Sequence, residues 1–241
     1  FEVNNTYGSV NFVDPTGIQL VPNKTIIDAP ASSALAYINY QYKDDDMAQI
    51  EQTKKLPVTL LQDPVYLKRL DCLTTTLPEE TKTVSIYSLG ERDALVWGNN
   101  KYLILAPTIL LKKGTTSENL STELLNHRLT LYYLSAEGDE DANTLKLYLR
   151  YEISGIGGSS TEETDDKESW ASDYNVRYTN VSHVNLQPII SMYKSTHSGS
   201  EPEKVTVEYE YNNSTSSIPT IAKKQTKTVT YNLYTETSSN N

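Results

Sequence analysis

The clearest signal in the chain is a period of two in its C-terminal half. Between Thr144 and Ile153, the residues Leu145, Leu147, Leu149, Tyr151 and Ile153 alternate with Lys146, Tyr148, Arg150 and Glu152. Successive side chains of a strand project to opposite faces, so this run predicts a strand with one core face and one wet face. Val205–Tyr211 repeats the pattern through Val205, Val207, Tyr209 and Tyr211, and Thr228–Tyr234 through Val229, Tyr231 and Leu233. Half-polar strands of this kind are those of antiparallel sheets. Lys101–Leu105, Arg128–Ser135 and Val184–Tyr193 read as further strands, with Pro107 and Pro188 at edges or bulges because proline has no backbone donor. Glu137–Asn143 joins two alternating runs as a hairpin loop. A short helix fits Ser117–Asn126, with Leu120, Leu124 and Leu125 on one face.

The N-terminal half predicts shorter strands. Ser9–Val13 leads into Asp14-Pro15-Thr16-Gly17, a turn by composition, and Ile18–Val21 completes the hairpin before Pro22. Ala34–Tyr42 alternates Ala36, Ile38, Tyr40 and Tyr42 against Tyr37, Asn39 and Gln41, and Val58–Leu61 and Val84–Leu89 follow. Such a series fits a small barrel of the OB type, with a meander sheet as the competing arrangement. Gly90–Asp93 breaks the apolar pattern and predicts a boundary, giving domains 1–90 and 91–241. Residues 154–175 form a long polar excursion, which inside a compact domain is either functional or disordered, and 236–241 form a polar tail.

Composition supports an all-β reading. The chain has 18 Tyr against 2 Phe and 2 Met, and 37% hydrophobic residues; its mean hydropathy is −0.50. Tyrosine pairs a large apolar ring with a hydroxyl that tolerates water, which suits the half-buried faces of small sheets. The net charge is −10, with a pI near 4.8. No basic cluster stands out to replace counterions along phosphates, so nucleic acid is excluded as a partner, and the acidity argues against electrostatic docking on anionic lipid. Cys72 is the one cysteine, which rules out an internal disulfide and a cysteine-based zinc site; it is expected to pack as a small hydrophobe.

The residue types that carry chemistry are present without the spacings that chemistry needs. His127, His183 and His197 fit no compact ligand motif such as HExxH. Asp44–Asp46 with Glu51 lacks the alternation and glycine of a calcium loop. Asp139–Asp141 and the group from Glu162 to Glu168 read as charge that keeps loops in water. Gly155–Gly158 is glycine-rich but has no strand-then-helix context for a phosphate loop. No catalytic, cofactor-binding or metal-ligating residue is therefore assigned. The aromatic residues are the candidates for ligand or partner contact: Trp170 in the polar excursion, and Tyr132 and Tyr148 on the polar sides of strands that would share a surface if those strands pair. Trp97 reads as a core anchor.

Two stretches resemble the NigD-like family of Bacteroidetes cell-envelope proteins. One is Val10–Tyr42, with its short strand, the Asp14–Gly17 turn, Gln19-Leu20-Val21-Pro22 and a Tyr-rich third strand; the other is Leu145–Glu152, LKLYLRYE, similar to the family's Leu-x-Leu-x-Leu-Arg strand. A fimbrillin-like surface subunit is the neighbouring alternative. The resemblance implies an OB-like barrel followed by an antiparallel β-sandwich, export, a lipid anchor on a cysteine upstream of Phe1, and no known catalytic activity. It places the chain at the cell envelope, as an outer-membrane lipoprotein facing the periplasm or the exterior. A monomer with a protein or glycan partner at the cell surface is expected, reaching the membrane only through the anchor. A carbohydrate-binding module built on Trp170 is the alternative function.

Overall fold

The computed structural model describes residues 1–6, 8–31, 33–90, 94–135, 143–157, 169–212 and 219–233. Contacts divide the chain into two units, Phe1–Arg69 with Trp97–Asn99, and Leu70–Val96 with Asn100–Asn241. The first stretch holds β1 (Glu2–Thr6), β2 (Ser9–Val13), β3 (Gln19–Pro22), β4 (Ala36–Tyr37), β5 (Tyr40–Gln41), the single helical turns α1 (Asp44–Met47) and α2 (Ile50–Thr53), β6 (Lys55–Leu60), β7 (Val65–Tyr66) and β8 (Lys68–Arg69). Along the chain follow β9 (Asp71–Leu73), β10 (Ala94–Trp97), β11 (Tyr102–Leu105), β12 (Thr108–Lys112), α3 (Leu120–Leu124), β13 (His127–Tyr132) and β14 (Thr144–Ile153). Then come β15 (Tyr174–Thr179), β16 (Ser182–Asn185), α4 (Gln187–Thr196), β17 (Lys204–Asn212) and β18 (Lys224–Asn232). Strands dominate, and the all-β class stands.

The first unit is built on a five-stranded sheet in the order β1-β2-β3-β6-β5, and the outer edge of β1 bonds to the segment 34–36, Val3 N–H donating to Ala34 O at 2.8 Å. The turn before β3 forms as its composition predicts. Asp14 Oδ1 accepts the N–H groups of Thr16 at 2.9 Å and Ile18 at 2.8 Å, and Gly17 adopts φ +85°, which a side chain would resist. Val10, Phe12, Leu20, Ala36, Ile38, Leu56 and Val58 make its core. The alternation over Ala34–Tyr42 is real at Ala36 and Ile38, both buried. The strand itself is split, β4 pairing with β7 and β5 with β6.

The second unit centres on a five-stranded sheet ordered β18-β17-β14-β13-β9. The hairpin of β13 and β14 is antiparallel, as is β17 with β18. The loop predicted between β13 and β14 lies, up to residue 142, outside the described residues, as does the tail 236–241. The sheet is mixed rather than antiparallel throughout, since β14 runs parallel to β17 and β9 parallel to β13. A parallel pair needs a crossover. Between β14 and β17 the chain supplies one through β15, β16 and α4. The row Leu145, Leu147, Leu149, Tyr151 and Ile153 is sealed in a core shared with Leu103, Leu105, Ile109, Leu111 and Val184 from β11, β12 and β16. Leu70, Val84, Ile86 and Leu89 belong to this core too.

Two sequence expectations change here. Val184–Tyr193 is a strand only to Asn185, after which α4 begins. Pro188 sits in the first helical turn, where its missing donor costs nothing. Ile189 and Tyr193, four apart, are the buried positions of that helix. The opposite row of β14 is not wet: Tyr148 and Arg150 are each only 6% exposed. Beyond the Leu149–Tyr209 pair, the ladder of β14 and β17 ends. There Val84 N–H donates to Tyr151 O at 2.8 Å and Ile86 N–H to Glu210 O at 3.0 Å, so this segment bonds to both strands.

Candidate functional site

A concavity of the first unit follows from its topology. β3 and β6 are parallel, with Pro22 beside Val58, so both strands finish at the same end of the sheet. The chain leaving β3 over residues 23–28 and the chain leaving β6 over 61–66 form the two walls of a groove of about 640 Å³. The base is tied by Asn23, whose N–H donates to Val58 O at 2.8 Å and whose Nδ2 donates to Thr59 Oγ1 at 2.9 Å. Ile26, Leu60 and Tyr66 line it and pack on the core beneath. Tyr66 OH donates to Asp28 O at 3.4 Å, and burial, with the Asp28 charge second, holds the phenol above its usual range. Lys24, Thr25, Asp28, Gln62 and Asp63 line the walls in exposed positions. Among the described residues none of these five side chains is hydrogen-bonded. Beside the groove, Leu61, Val65 and Tyr37 present more than half of their surface to solvent, and Val65 and Tyr37 pair across β7 and β4.

The second unit has two buried polar networks, and a smaller open concavity of about 340 Å³ lined by Lys82, Arg128 and Glu152. Where α3 meets β13, His127 Nε2 lies 2.9 Å from Glu123 Oε1, and His127 Nδ1 is bonded to Tyr151 OH. Glu123 also accepts Lys112 N–H at 3.0 Å. Burial pushes its carboxyl up, but the hydrogen bonds from His127, Lys112 and Asn126 outweigh it and hold the group below the usual carboxylate range. Only 1% of the His127 side chain is exposed, so this trio anchors α3 against β13. Sequence reading took His127 only as the start of a strand. The signal it missed was Glu123–His127 at i,i+4 on the predicted helix end, the spacing that brings two side chains together.

The other network lies on the polar row of β14. Arg150 donates to Glu208 Oε1 at 2.8 Å and stands 3.7 Å from Glu210, while Lys146 reaches Glu208 at 3.5 Å and Lys224 reaches Glu210 at 3.3 Å. Lys146 and Arg150 flank the Tyr148 ring at 4.8 Å and 5.5 Å. Tyr132 and Tyr148 do meet, directly opposite each other in the ladder of β13 and β14. Each is 6% exposed, so the pair forms no open surface, and Lys146 and Arg150 lie over the Tyr148 ring. Trp170 is half-buried, edge-on to Tyr174 at 5.9 Å, and packed against the core. Trp97 is half-buried as well.

The remaining candidates do not converge. His183 is buried edge-on to Tyr102 at 5.7 Å, and His197 stacks on Tyr193 at 3.8 Å. Among the described residues no three His, Cys, Asp or Glu side chains gather as a metal site would require. Asp44–Asp46 form the first turn of α1. Asp139–Asp141, the group from Glu162 to Glu168, and Gly158 lie outside the described residues. No helix among those described is long and apolar enough to cross a membrane.

No family model matches the chain, and no curated protein matches it. Solved structures do. A candidate lipoprotein from Bacteroides fragilis is similar over 98% of this chain and 96% of its own, at 21% identity and a TM-score of 0.71. A protein of unknown function from Bacteroides vulgatus is similar over 98% and 90%, at 14% identity and a TM-score of 0.52. These two likenesses, over nearly the full length of each chain, establish a shared fold. The neighbours also include a NigD-like immunity protein from Bacteroides caccae, at 13% identity over 91% and 88% with a TM-score of 0.49. That is the family which Val10–Tyr42 and Leu145–Glu152 resemble.

Proposed function

We propose that this chain is an exported, non-catalytic binding protein of the bacterial cell envelope, and that the groove of its first unit is the contact surface. One observation carries the reading: in that groove the side chains of Lys24, Thr25, Asp28, Gln62 and Asp63, with no hydrogen bond among the described residues, stand beside an apolar floor, the arrangement of a ligand site. The second unit supports it from the other side. Its buried ionisable groups, Glu123, His127, Arg150, Glu208, Glu210 and Lys224, are engaged with one another and shielded from solvent, which suits a scaffold. Fold likeness to a candidate lipoprotein favours the envelope as its place, with a lipid anchor ahead of Phe1.

Cell fractionation of a Bacteroidales host expressing the full natural gene, combined with metabolic labelling by a palmitate analogue, tests the location. The labelled chain is expected in the envelope fraction. Recovery in the cytoplasm without label would overturn the reading.

A further inference from the structure

The chemistry of the groove narrows what it holds. Its floor offers Ile26, Leu60 and the Tyr66 ring, with Leu61 exposed at the lip. Its walls offer the Lys24 ammonium and Gln62 amide as donors, the Asp28 and Asp63 carboxylates as acceptors, and the Thr25 hydroxyl as both. Resting on the reading that this groove is the contact surface, we infer that its ligand is a neutral oligosaccharide. A sugar ring presents apolar C–H faces and a rim of hydroxyls, each both donor and acceptor. That combination answers an apolar floor between mixed donors and acceptors.

Charge and topology argue against the other occupants. One ammonium and two carboxylates leave the groove with a net negative charge, which disfavours phosphates, sulfated chains and uronic acids. An extended peptide would bind by adding to a sheet edge. β3 and β6, from which the walls continue, are interior strands of the order β1-β2-β3-β6-β5, and the one edge strand among the described wall residues, β7, is two residues long, too short to hold an extended peptide. The volume of about 640 Å³ lies within the usual range of ligand sites, and the groove is open enough to accept a segment of a longer chain.

The test is calorimetric titration of the intact chain with neutral gluco-, manno-, xylo- and galacto-oligosaccharides, beside anionic pectic and sulfated ones. Gln62→Ala with Asp63→Ala removes exposed wall groups and leaves the core whole, with circular dichroism checking the fold; Trp170→Ala probes the alternative aromatic. At least one neutral series is expected to bind, to weaken about tenfold or more in the double variant, which loses hydrogen-bonding groups at two positions, and to be unchanged in Trp170→Ala. The assignment is overturned by no binding of any neutral series, by preference for anionic chains, by binding indifferent to Gln62 and Asp63, or by loss in Trp170→Ala alone. An envelope location combined with any of those results ends the sugar assignment and leaves the proposed location standing.

Discussion

The guanidinium of Arg150 donates to Glu208 across the parallel ladder of β14 and β17, on the face opposite the apolar rows. Both side chains are largely buried, at 7% and 16% exposed. Removing one partner of a buried pair leaves the other charged, desolvated and unanswered. Arg150→Ala is therefore expected to destabilise the chain by about 3–5 kcal/mol, read as a lower urea midpoint. Lys146→Ala, whose side chain is a third exposed, should cost well under half of that. Equal losses at the two positions would show that burial does not set the cost.

The Glu123 carboxyl gives the second unit an acid-sensitive joint. Its folded-state pKa is depressed, so the group contributes stability above the unfolded value of about 4.3, and that contribution is lost as pH falls through the folded value. Wild type should therefore exceed Glu123→Gln in unfolding free energy at neutral pH, and the gap should narrow at acid pH. Urea titrations of both proteins at pH 7 and near pH 3 check this. A gap that does not change with pH would mean that the carboxylate charge contributes nothing.

How much of this could be read from the sequence depends on what each residue needed to know. Leu145–Ile153 and Val205–Tyr211 showed their core rows because period-two alternation is local. The Asp14–Gly17 turn was legible for the same reason, since Asp14 bonds to residues two and four ahead. Parallel pairing of β14 with β17 was hidden, because register with a strand so distant leaves no mark in either. The polar row of β14 looked wet for a related cause: Lys146, Arg150 and Glu208 are solvated in isolation and become buried only by covering one another. A continuous apolar run such as Val184–Tyr193 fits a strand or a buried helix alike, and Pro188 suits a strand edge and a first helical turn equally well. The groove was invisible, since its walls meet only once β3 and β6 lie side by side. The chain passes between units near Leu70, where no glycine or proline breaks the run from Val65 to Leu73.

Cys72 sits on β9 beside Leu131, packed against the second core. Burial pushes its thiol up to about 12, so almost no thiolate exists at neutral pH, and thiolate is the reactive form. Iodoacetamide should modify the folded chain very slowly and the urea-unfolded chain at the rate of an ordinary cysteine. Mass spectrometry of timed samples measures both. Rapid labelling of the folded chain would place the sulfur in water and contradict the packing.

Gly157 and Gly155 offer a matched pair for separating backbone conformation from crowding. Both have positive φ, +83° and +78°, a region that costs an L-residue about 1–2 kcal/mol. A methyl group at Gly155 would meet nothing within 4 Å, whereas one at Gly157 would run into the carbonyl oxygen of Thr81 and the backbone of Lys82. Backbone cannot swing aside as a flexible side chain can, so the segment around Thr81 must move. That segment also supplies Glu80 O and Thr83 O to the ammonium of Lys224, which in turn pairs with Glu210. Gly155→Ala should thus show the conformational cost alone, and Gly157→Ala that cost plus roughly 1–3 kcal/mol for overpacking. Denaturant unfolding of the two variants decides the matter, and equal losses would mean that Gly157 is kept for its backbone angle and not for the close approach.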